Sequence, residues 1–392
     1  MQVNSLDIYC EVIDNFGDAG VVYRFVREFK LAHPQCRIRV FIDDIATLKS
    51  IVPTIDTDKP LQDYDDITYI QSHMLTPALV ETLGTPDVLI EAFGCTIPDC
   101  VLSAASLHTR LHINLEYLSA ESWVDNYHLK ESLTGNAVMK KYFYMPGFTA
   151  STGGVIIDTH IENCRKQLEQ RRYAYLTDVI VQFKIYPAFP EKCLFGSVFT
   201  YIRNFDALLR GCSATGKDVY LLVLGEKSKT GMQQSPLFAH TEKITPDSFR
   251  YNRTHILFMP FLPQQQYDEL LCKTDFNIVR GEDSLVRAIM ARKPFVWNAY
   301  LQENKYQQVK VTALLEIIAS YCPDQAVYGS YCQLLAGFND IEHEDASKIT
   351  AETYDTFFSH LAYLEKCTAE LAVYLVENCN LIQKISAFLA NY

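Results

Sequence analysis

The sequence predicts an α/β protein with two Rossmann-like domains, each built around a parallel sheet. Strand and helix patterns alternate in both halves of the chain, and repeated strand–helix–strand units imply a parallel sheet covered by helices on both faces. An irregular stretch with prolines, at about 150–190, separates the two runs. The length of 392 residues is too great for one ordinary core and also suggests two domains.

The first half begins with a buried strand followed by an amphipathic helix. Leu6–Ile13 is a nearly continuous apolar run, as expected for a strand that is buried on both faces. After a turn at 14–20, apolar residues recur at helical spacing, namely Val21, Val22, Phe25, Val26 and Phe29. Similar patterns predict a short helix at 45–52 and strands at 37–42, 67–70, 87–93 and 111–115.

The second half repeats this alternation and ends in a helical tract. The patterns predict strands at 193–198, 219–224, 255–259, 276–279 and 295–297, helices at 264–272 and 284–291, and a largely helical region at 351–391. We therefore place the domains at 1–160 and 191–360, with an interdomain segment at 161–190. The helical tail at 361–392 could cross back to the first domain.

Composition narrows the class of protein. The 35 basic and 47 acidic residues give a net charge of −12, which argues against nonspecific nucleic-acid binding. Because we find no targeting signal and no apolar run of membrane-spanning length, we expect a cytoplasmic protein without a membrane partner. The 12 cysteines are scattered and lack zinc-ligand spacing, so we expect reduced thiols and no metal site.

The first candidate site is the turn after the first strand, which reads DNFGDAG at 14–20. Ligands of open parallel sheets bind at the carboxyl ends of the strands. Asp14 and Asp18 stand across a glycine turn, so both carboxylates can point into one cleft and grip a cation or take a proton. The structural alternative is an Asx-turn in which Asp18 caps the following helix. Spacing alone leaves both interpretations open.

The second candidate site is RGEDS at 280–284, between a predicted strand and a predicted helix. A helix N-terminus offers unpaired N–H groups, and Arg280 adds a charged fork that suits phosphate. Gly281 permits close approach of the backbone. Glu282 would repel a phosphate, so a sugar hydroxyl or a cationic acceptor explains it better. The alternative is that Asp283 or Ser284 merely caps the helix.

A third candidate is the loop FLPQ at 261–264. An aromatic residue followed by proline makes a stiff loop, and Phe261 could stack on a flat base. The alternative is that Phe261 belongs to the core, as phenylalanine side chains more often do.

Two Rossmann-like domains that face a cleft are the plan of the GT-B glycosyltransferases, although fold analogy does not establish function. Several segments, in order along the chain, resemble motifs of one such family, the elongation factor P arginine rhamnosyltransferases (EarP). These segments are 13–21, 114–121, 141–148 with 152–154, 261–265 and 280–284. The second has Leu115 where the family usually has Trp.

The resemblance implies an inverting transfer of L-rhamnose from dTDP-β-L-rhamnose to an arginine guanidinium of elongation factor P, with that protein as partner and no cofactor. It implies an acceptor-binding first domain and a donor-binding second domain. Asp18 would be the general base, with Asp14 and Glu282 as further catalytic carboxylates. The substrate-binding residues it implies are Asn15, Phe16, Gly17, Glu116, Tyr117, Phe195, Phe261, Gln264, Arg280, Gly281, Asp283 and Ser284. Ser197 departs from the family, which has a tyrosine there, and Tyr201 could substitute for it.

The implied chemistry suits these residue types. A guanidinium is delocalised and protonated at neutral pH, so carboxylates must clamp it and orient one nitrogen toward the anomeric carbon. Asp18 could accept the proton as the C–N bond forms, while Arg280 and the helix N-terminus meet the charge on the departing diphosphate. The alternatives are a GT-B enzyme with another acceptor, and a nucleotide-sugar epimerase or binding protein.

Overall fold

The computed structural model describes residues 3–13, 16–133, 138–187, 189–340 and 349–392, with only the backbone for Phe16 and Cys164. The chain divides into two compact units. Unit 1 is Met1–Thr159 together with Tyr374–Tyr392, and unit 2 is His160–Val373. Each unit contains a mostly parallel sheet flanked by helices.

The sheet of unit 1 carries the first candidate site. Its strands, in chain order, are β1 (Ser5–Cys10), β2 (Arg37–Ile42), β3 (Leu61–Tyr64), β4 (Ile67–Gln71), β5 (Val88–Ala92), β6 (Leu111–Leu115), β7 (Glu131–Ser132) and β8 (Lys140–Tyr144). They lie in the order β3-β4-β2-β1-β5-β6-β8-β7. The pairs β3–β4 and β7–β8 are antiparallel, and the other described pairs are parallel. The winding reverses at β1, between β2 and β5, and such switch points are where open α/β sheets bind ligands.

The helices of the first part of unit 1 cover this sheet. They are α1 (Phe16–Ala32), α2 (Ile45–Ile51), α3 (Pro77–Leu83), α4 (Asp99–His108) and α5 (Trp123–Tyr127). The apolar stripe of α1 packs into the core as its spacing predicts, since Val22, Phe25, Val26 and Phe29 are buried. This packing holds the first turn of α1 at the carboxyl end of β1.

The first strand is shorter than its apolar run. The prediction of a strand to Ile13 is wrong beyond Cys10, where pairing with β2 ends. The backbone N–H of Val12 donates to Asp43 at 2.9 Å, and that of Ile13 donates to Asp18 at 2.9 Å. The chain therefore leaves the sheet because side-chain carboxylates replace its ladder partners.

The sheet of unit 2 carries the second candidate site. Its strands are β9 (Leu194–Val198), β10 (Val219–Val223), β11 (Glu242–Thr245), β12 (Ser248–Tyr251), β13 (Thr254–Phe258), β14 (Phe276–Arg280) and β15 (Phe295–Asn298). They lie in the order β11-β12-β13-β10-β9-β14-β15, with β11 and β12 as an antiparallel edge. The winding reverses at β9, between β10 and β14, which makes a second switch point.

The remaining helices follow in chain order. They are α6 (Thr159–Gln170), α7 (Arg172–Val181), α8 (Asp206–Ala214), α9 (Glu226–Gln234), α10 (Gln264–Lys273), α11 (Gly281–Met290), α12 (Tyr306–Ala319), α13 (Gln325–Asn339), α14 (Ala351–Ser359), α15 (Leu361–Asn378) and α16 (Leu381–Asn391). The predicted interdomain segment at 161–190 thus contains α7 and all but the first two residues of α6, and both helices fall within unit 2 apart from Thr159.

The end of the chain packs into unit 1. The N–H of Val155 donates to Cys379 O at 2.7 Å, and the N–H of Leu381 donates to Val155 O at 2.9 Å. Gly154 has φ +81, and a Cβ there would lie 2.2 Å from Cys379 O, so only glycine permits this approach. The buried face of α16 joins the core of unit 1 through Leu381, Ile382, Ile385 and Leu389.

His128 makes the stability of unit 1 sensitive to acid. Burial lowers the pKa of His128 to about 4 from its ordinary value of 6.5, and its Nδ1 accepts the N–H of Met145 at 3.2 Å. Because the unfolded chain binds this proton between those two pH values and the folded chain does not, stability falls as pH drops through that window. We expect a loss on the order of 2 kcal/mol by pH 4–5.

Thermal unfolding of His128→Asn between pH 7 and pH 4.5 measures this effect. The variant should lose less stability on acidification than the wild type, whereas His73→Asn, at an exposed histidine of unit 1, should follow the wild type. Equal acid dependence in all three proteins would contradict the assignment.

Candidate active site

The candidate site of unit 1 lies beside its switch point. Asp18 follows β1, Phe93 and Gly94 follow β5, and Tyr117 lies two residues beyond the end of β6. Since the carboxyl ends of parallel strands share one edge of a sheet, these residues come together although they are far apart in sequence. Leu115, which departs from the EarP motif, is the last residue of β6, and its side chain is buried in the core of unit 1.

Asp18 is a buried carboxylate in the first turn of α1. Only 2% of it is exposed. Its Oδ2 accepts the backbone N–H of Ile13 at 2.9 Å, and its Oδ1 accepts the hydroxyl of Tyr117 at 3.1 Å. Since α1 already begins at Phe16, Asp18 is not the capping residue itself. Its carboxylate nevertheless has a local structural partner in the backbone N–H of Ile13.

The other predicted residues of this turn are described only in part. Asp14 and Asn15 fall outside the described residues. Phe16 is described only as the first backbone position of α1, and Gly17 is exposed in the first helical turn.

Glu116 and Asn114 form a polar pair next to Tyr117. Asn114 Nδ2 donates to Glu116 Oε1 at 2.8 Å. Burial, with the nearby charge of Glu91, raises the pKa of Glu116 above its ordinary value. Asn114 is 6% exposed, and its Oδ1 has no hydrogen-bond partner in the described part of the chain. The pair therefore presents acceptor atoms that suit a ligand rich in N–H groups.

A half-buried carboxylate that the sequence analysis missed, Glu91, lies on the neighbouring strand β5. Glu91 Oε2 accepts from Lys141 Nζ at 2.7 Å and from His112 Nε2 at 3.0 Å. Burial opposes ionisation, but the hydrogen bonds from His112 and Lys141 outweigh it and lower the pKa of Glu91. Glu91 is thus a fixed negative charge that acts on Glu116.

The candidate site of unit 2 centres on Arg280, the last residue of β14. Its guanidinium lies over the ring of Phe199 at 4.3 Å and over that of Tyr201 at 4.9 Å, and Nη1 donates to Thr200 O at 3.2 Å. Phe199 and Tyr201 directly follow β9, across the switch point from β14. The two rings and the carbonyl fix the arginine fork at this edge.

The helix after Arg280 begins earlier than predicted. It starts at Gly281 rather than at 284, because φ +66 at Gly281 lets the chain turn directly from strand to helix. The position before the helix is Arg280, so the alternative that Asp283 or Ser284 caps it is wrong. The indole Nε1 of Trp297 donates to Gly281 O at 2.9 Å and holds the turn.

The acidic residues of this first helical turn are ion-paired. Lys310 Nζ lies 3.1 Å from Glu282 Oε1, and Asp283 Oδ1 lies 3.6 Å from Arg287 Nε. Both carboxylates also sit at the positive end of the helix dipole. Lys310, which the sequence analysis missed, offsets the negative charge that made Glu282 unexpected beside a phosphate.

Three residues predicted to bind the donor differ in how deeply they are buried. Phe261 is 60% exposed, so the alternative that places it in the core is wrong. Gln264 is half-buried at the start of α10. Phe195, predicted to line the donor pocket, is instead fully buried inside β9 and stacks on Tyr220 at 5.0 Å.

The departure at Ser197 also lies in the core. Ser197 is fully buried in β9 and donates to Asn277 Oδ1 at 2.6 Å. Tyr201 lies beside Arg280, and its hydroxyl would be 3.7 Å from a Cβ placed on Gly281. This edge of the sheet therefore has a tyrosine hydroxyl, supplied by Tyr201 and not by position 197.

A family model and individual relatives of this chain point to the same family. The chain matches the family model for "Elongation-Factor P (EF-P) rhamnosyltransferase EarP" over residues 6–390. It is 34% identical over 337 residues to a protein-arginine rhamnosyltransferase of Shewanella oneidensis, covering 82% of this chain and 81% of that one. It is 30% identical over 333 residues to one of Pseudomonas aeruginosa, covering 81% and 83%.

Solved structures support the fold. One, described as the structural basis for EarP-mediated arginine glycosylation of translation elongation factor EF-P, has a TM-score of 0.64 at 19% identity and covers 99% of both chains. A UGT transferase of Siraitia grosvenorii in complex with UDP has a TM-score of 0.52 at 10% identity, again with 99% coverage of both. The predicted α/β GT-B fold class is confirmed. No helix in the described ranges is long and apolar enough to cross a membrane.

Proposed function

The chain belongs to the EarP family of elongation factor P rhamnosyltransferases, and we propose that it transfers L-rhamnose from dTDP-β-L-rhamnose to an arginine of elongation factor P. The observation that carries the proposal is the arrangement at the unit 1 switch point, where a buried carboxylate is held by a backbone N–H and a tyrosine hydroxyl. Because its acceptor is a translation factor, we place the enzyme in the cytoplasm.

Unit 1 supplies the groups that suit a guanidinium acceptor. Glu116 and the Oδ1 of Asn114 are acceptor atoms, and a guanidinium has only donors. In the proposed mechanism they orient the guanidinium, and Asp18 takes a proton from the attacking nitrogen as the C–N bond forms. Asp14 and Glu282 remain the proposed further catalytic carboxylates. Attack opposite the departing diphosphate inverts the anomeric carbon.

Unit 2 supplies the groups that suit a nucleotide diphosphate. Arg280 and the first N–H groups of α11 would meet the negative charge that develops on the leaving diphosphate. Tyr201 would add a hydroxyl beside them. The exposed ring of Phe261 would stack on thymine, and Gln264 would face the edge of the base. These groups provide the positive charge for departure, so the proposal assigns no metal ion and no cofactor.

The test is the intact mass of elongation factor P after incubation with this protein and dTDP-β-L-rhamnose. We expect a gain of one deoxyhexose on an arginine, and the gain should be absent with the Asp18→Asn variant. If the donor binds but no mass is gained, the acceptor is a different molecule. If the donor does not bind, the proposed reaction is wrong.

Acid should weaken acceptor binding through Glu116. Because the pKa of Glu116 is raised, its carboxylate is protonated at a higher pH than an ordinary glutamate, and a protonated carboxyl cannot clamp a guanidinium. We expect KM for elongation factor P to rise as pH falls from 7 toward 5. Glu116→Gln should raise KM by about 10-fold at pH 7 and remove this acid dependence.

The matched control is Glu81→Gln, which changes an exposed glutamate on α3 of the same unit. It should keep the KM and the acid dependence of the wild type. A Glu116→Gln enzyme with unchanged KM across this pH range would remove Glu116 from the acceptor site.

A further inference from the structure

We propose that Tyr117 is a positioning residue for the Asp18 carboxylate and that Phe93 positions Tyr117 in turn. The inference rests on the proposed function, in which Asp18 is the general base. It gives Tyr117 a role beyond substrate binding, and it adds Phe93, which no motif singled out.

The first step is the geometry of the carboxylate. Each oxygen of Asp18 accepts a hydrogen bond from a different direction, Oδ2 from the N–H of Ile13 and Oδ1 from the hydroxyl of Tyr117. Rotation about the terminal torsion of an aspartate is normally broad. Here rotation would break both bonds, so the plane of the carboxylate is fixed. A base with a fixed plane presents its remaining lone pairs in a constant direction, which general-base catalysis requires.

The second step is the tyrosine itself. Tyr117 lies in the loop after β6 and is 42% exposed, so its own segment does not bury its ring. The ring of Phe93 stacks on it, with ring centroids 4.5 Å apart and planes 15° apart. Stacked aromatic pairs attract each other beyond the area they bury. The stack therefore restricts the tyrosine to the rotamer that reaches Asp18.

The third step is the backbone of Phe93. Its φ is +60, a left-handed conformation that is strained for a residue with a Cβ. The next residue, Gly94, also has positive φ, at +68. The N–H of Phe93 donates to Leu115 O at 2.7 Å, which fixes this turn to the end of β6. A glycine would relieve the strain but would remove the ring that holds Tyr117.

Three variants separate these roles. Tyr117→Phe keeps the stack and loses the hydroxyl, Phe93→Leu loses the stack and keeps the hydroxyl, and Phe93→Tyr keeps a ring in place. We expect Tyr117→Phe to lower kcat by about 10- to 100-fold with KM for both substrates changed by no more than about 2-fold. Phe93→Leu should lower kcat by less than Tyr117→Phe does. Phe93→Tyr should keep the kcat of the wild type.

The double variant tests whether Phe93 acts through Tyr117. If it does, Phe93→Leu adds no further loss to Tyr117→Phe, because the hydroxyl it positions is already absent. The control is Tyr127→Phe, at a tyrosine on α5 that is 55% exposed, and this variant should behave as the wild type. A raised KM for the acceptor with unchanged kcat, or additive losses in the double variant, would overturn the proposal.

A second readout does not depend on the reaction. The ¹³C carboxyl resonance of Asp18, assigned by its absence in Asp18→Asn, should move in Tyr117→Phe and in Phe93→Leu but not in Tyr127→Phe. If wild-type protein transfers no rhamnose, the proposed function fails while this signal still decides the positioning role. If the resonance does not move in Tyr117→Phe or in Phe93→Leu, the inference is wrong even if rhamnose transfer is observed.

Discussion

Replacing Asp18 by asparagine is expected to lower kcat by about 10²- to 10⁴-fold, the usual contribution of a general base. Asparagine has nearly the same shape and keeps one carbonyl oxygen for the N–H of Ile13, so the first turn of α1 should stay folded. It cannot accept the guanidinium proton. Single-turnover kinetics by intact mass measure the loss, and thermal unfolding measures the stability of the variant.

The control for Asp18 is Asp99→Asn, which changes an exposed aspartate in the first turn of α4 in the same unit. Its kcat should equal that of the wild type. Near-normal turnover by a well-folded Asp18→Asn protein would show that another group takes the proton. A loss of activity that follows a loss of folding would give Asp18 a structural role alone.

Replacing Arg280 by alanine is expected to lower kcat/KM for the donor by about 10²- to 10³-fold, because a preorganised charge that meets the leaving diphosphate is lost. The kcat/KM of Arg280→Lys should lie between those of the wild type and Arg280→Ala, since lysine keeps the charge but loses the planar fork and the stacking on Phe199 and Tyr201. Titration calorimetry with dTDP separates binding of the nucleotide from the chemical step.

The control for Arg280 is Arg210→Ala, at an exposed arginine of α8 in the same unit. It should leave the affinity for dTDP and the turnover unchanged. If Arg280→Ala bound dTDP as tightly as the wild type and turned over normally, the donor phosphates would have to lie elsewhere.

Most of the parallel strands of both sheets could be predicted because they are largely buried on both faces and read as apolar runs. The predicted spans 37–42 and 111–115 coincide with β2 and β6. The antiparallel strands β3, β7, β11 and β12 were missed because most of their residues are polar and at most partly buried, as in strands at or near a sheet edge. The parallel strand β8 was missed as well, because it begins with two lysines and is only partly buried. A strand that buries few side chains in the core has no run of apolar residues from which it could be predicted.

The candidate site was predictable in its residue types but not in its contacts. The bond between Tyr117 and Asp18 joins residues 99 positions apart, and only the strand order brings them together. Phe195 was selected through the resemblance to the family, whereas Phe199 was not singled out. The end of β9 at Val198 decides which of the two rings is core and which faces Arg280, and a run of buried residues does not mark its own end.

The return of the last residues to unit 1 has a consequence for how the chain is made. Unit 2 is continuous in sequence, so a growing chain holds all of its residues before α16 is made. Unit 1 lacks α16, and with it Leu381 and Ile385 of its core, until this helix has emerged from the ribosome. The half of the protein that is synthesised first is therefore completed last. A chain truncated before α16 would leave the Asp18 half unfinished while the Arg280 half is whole.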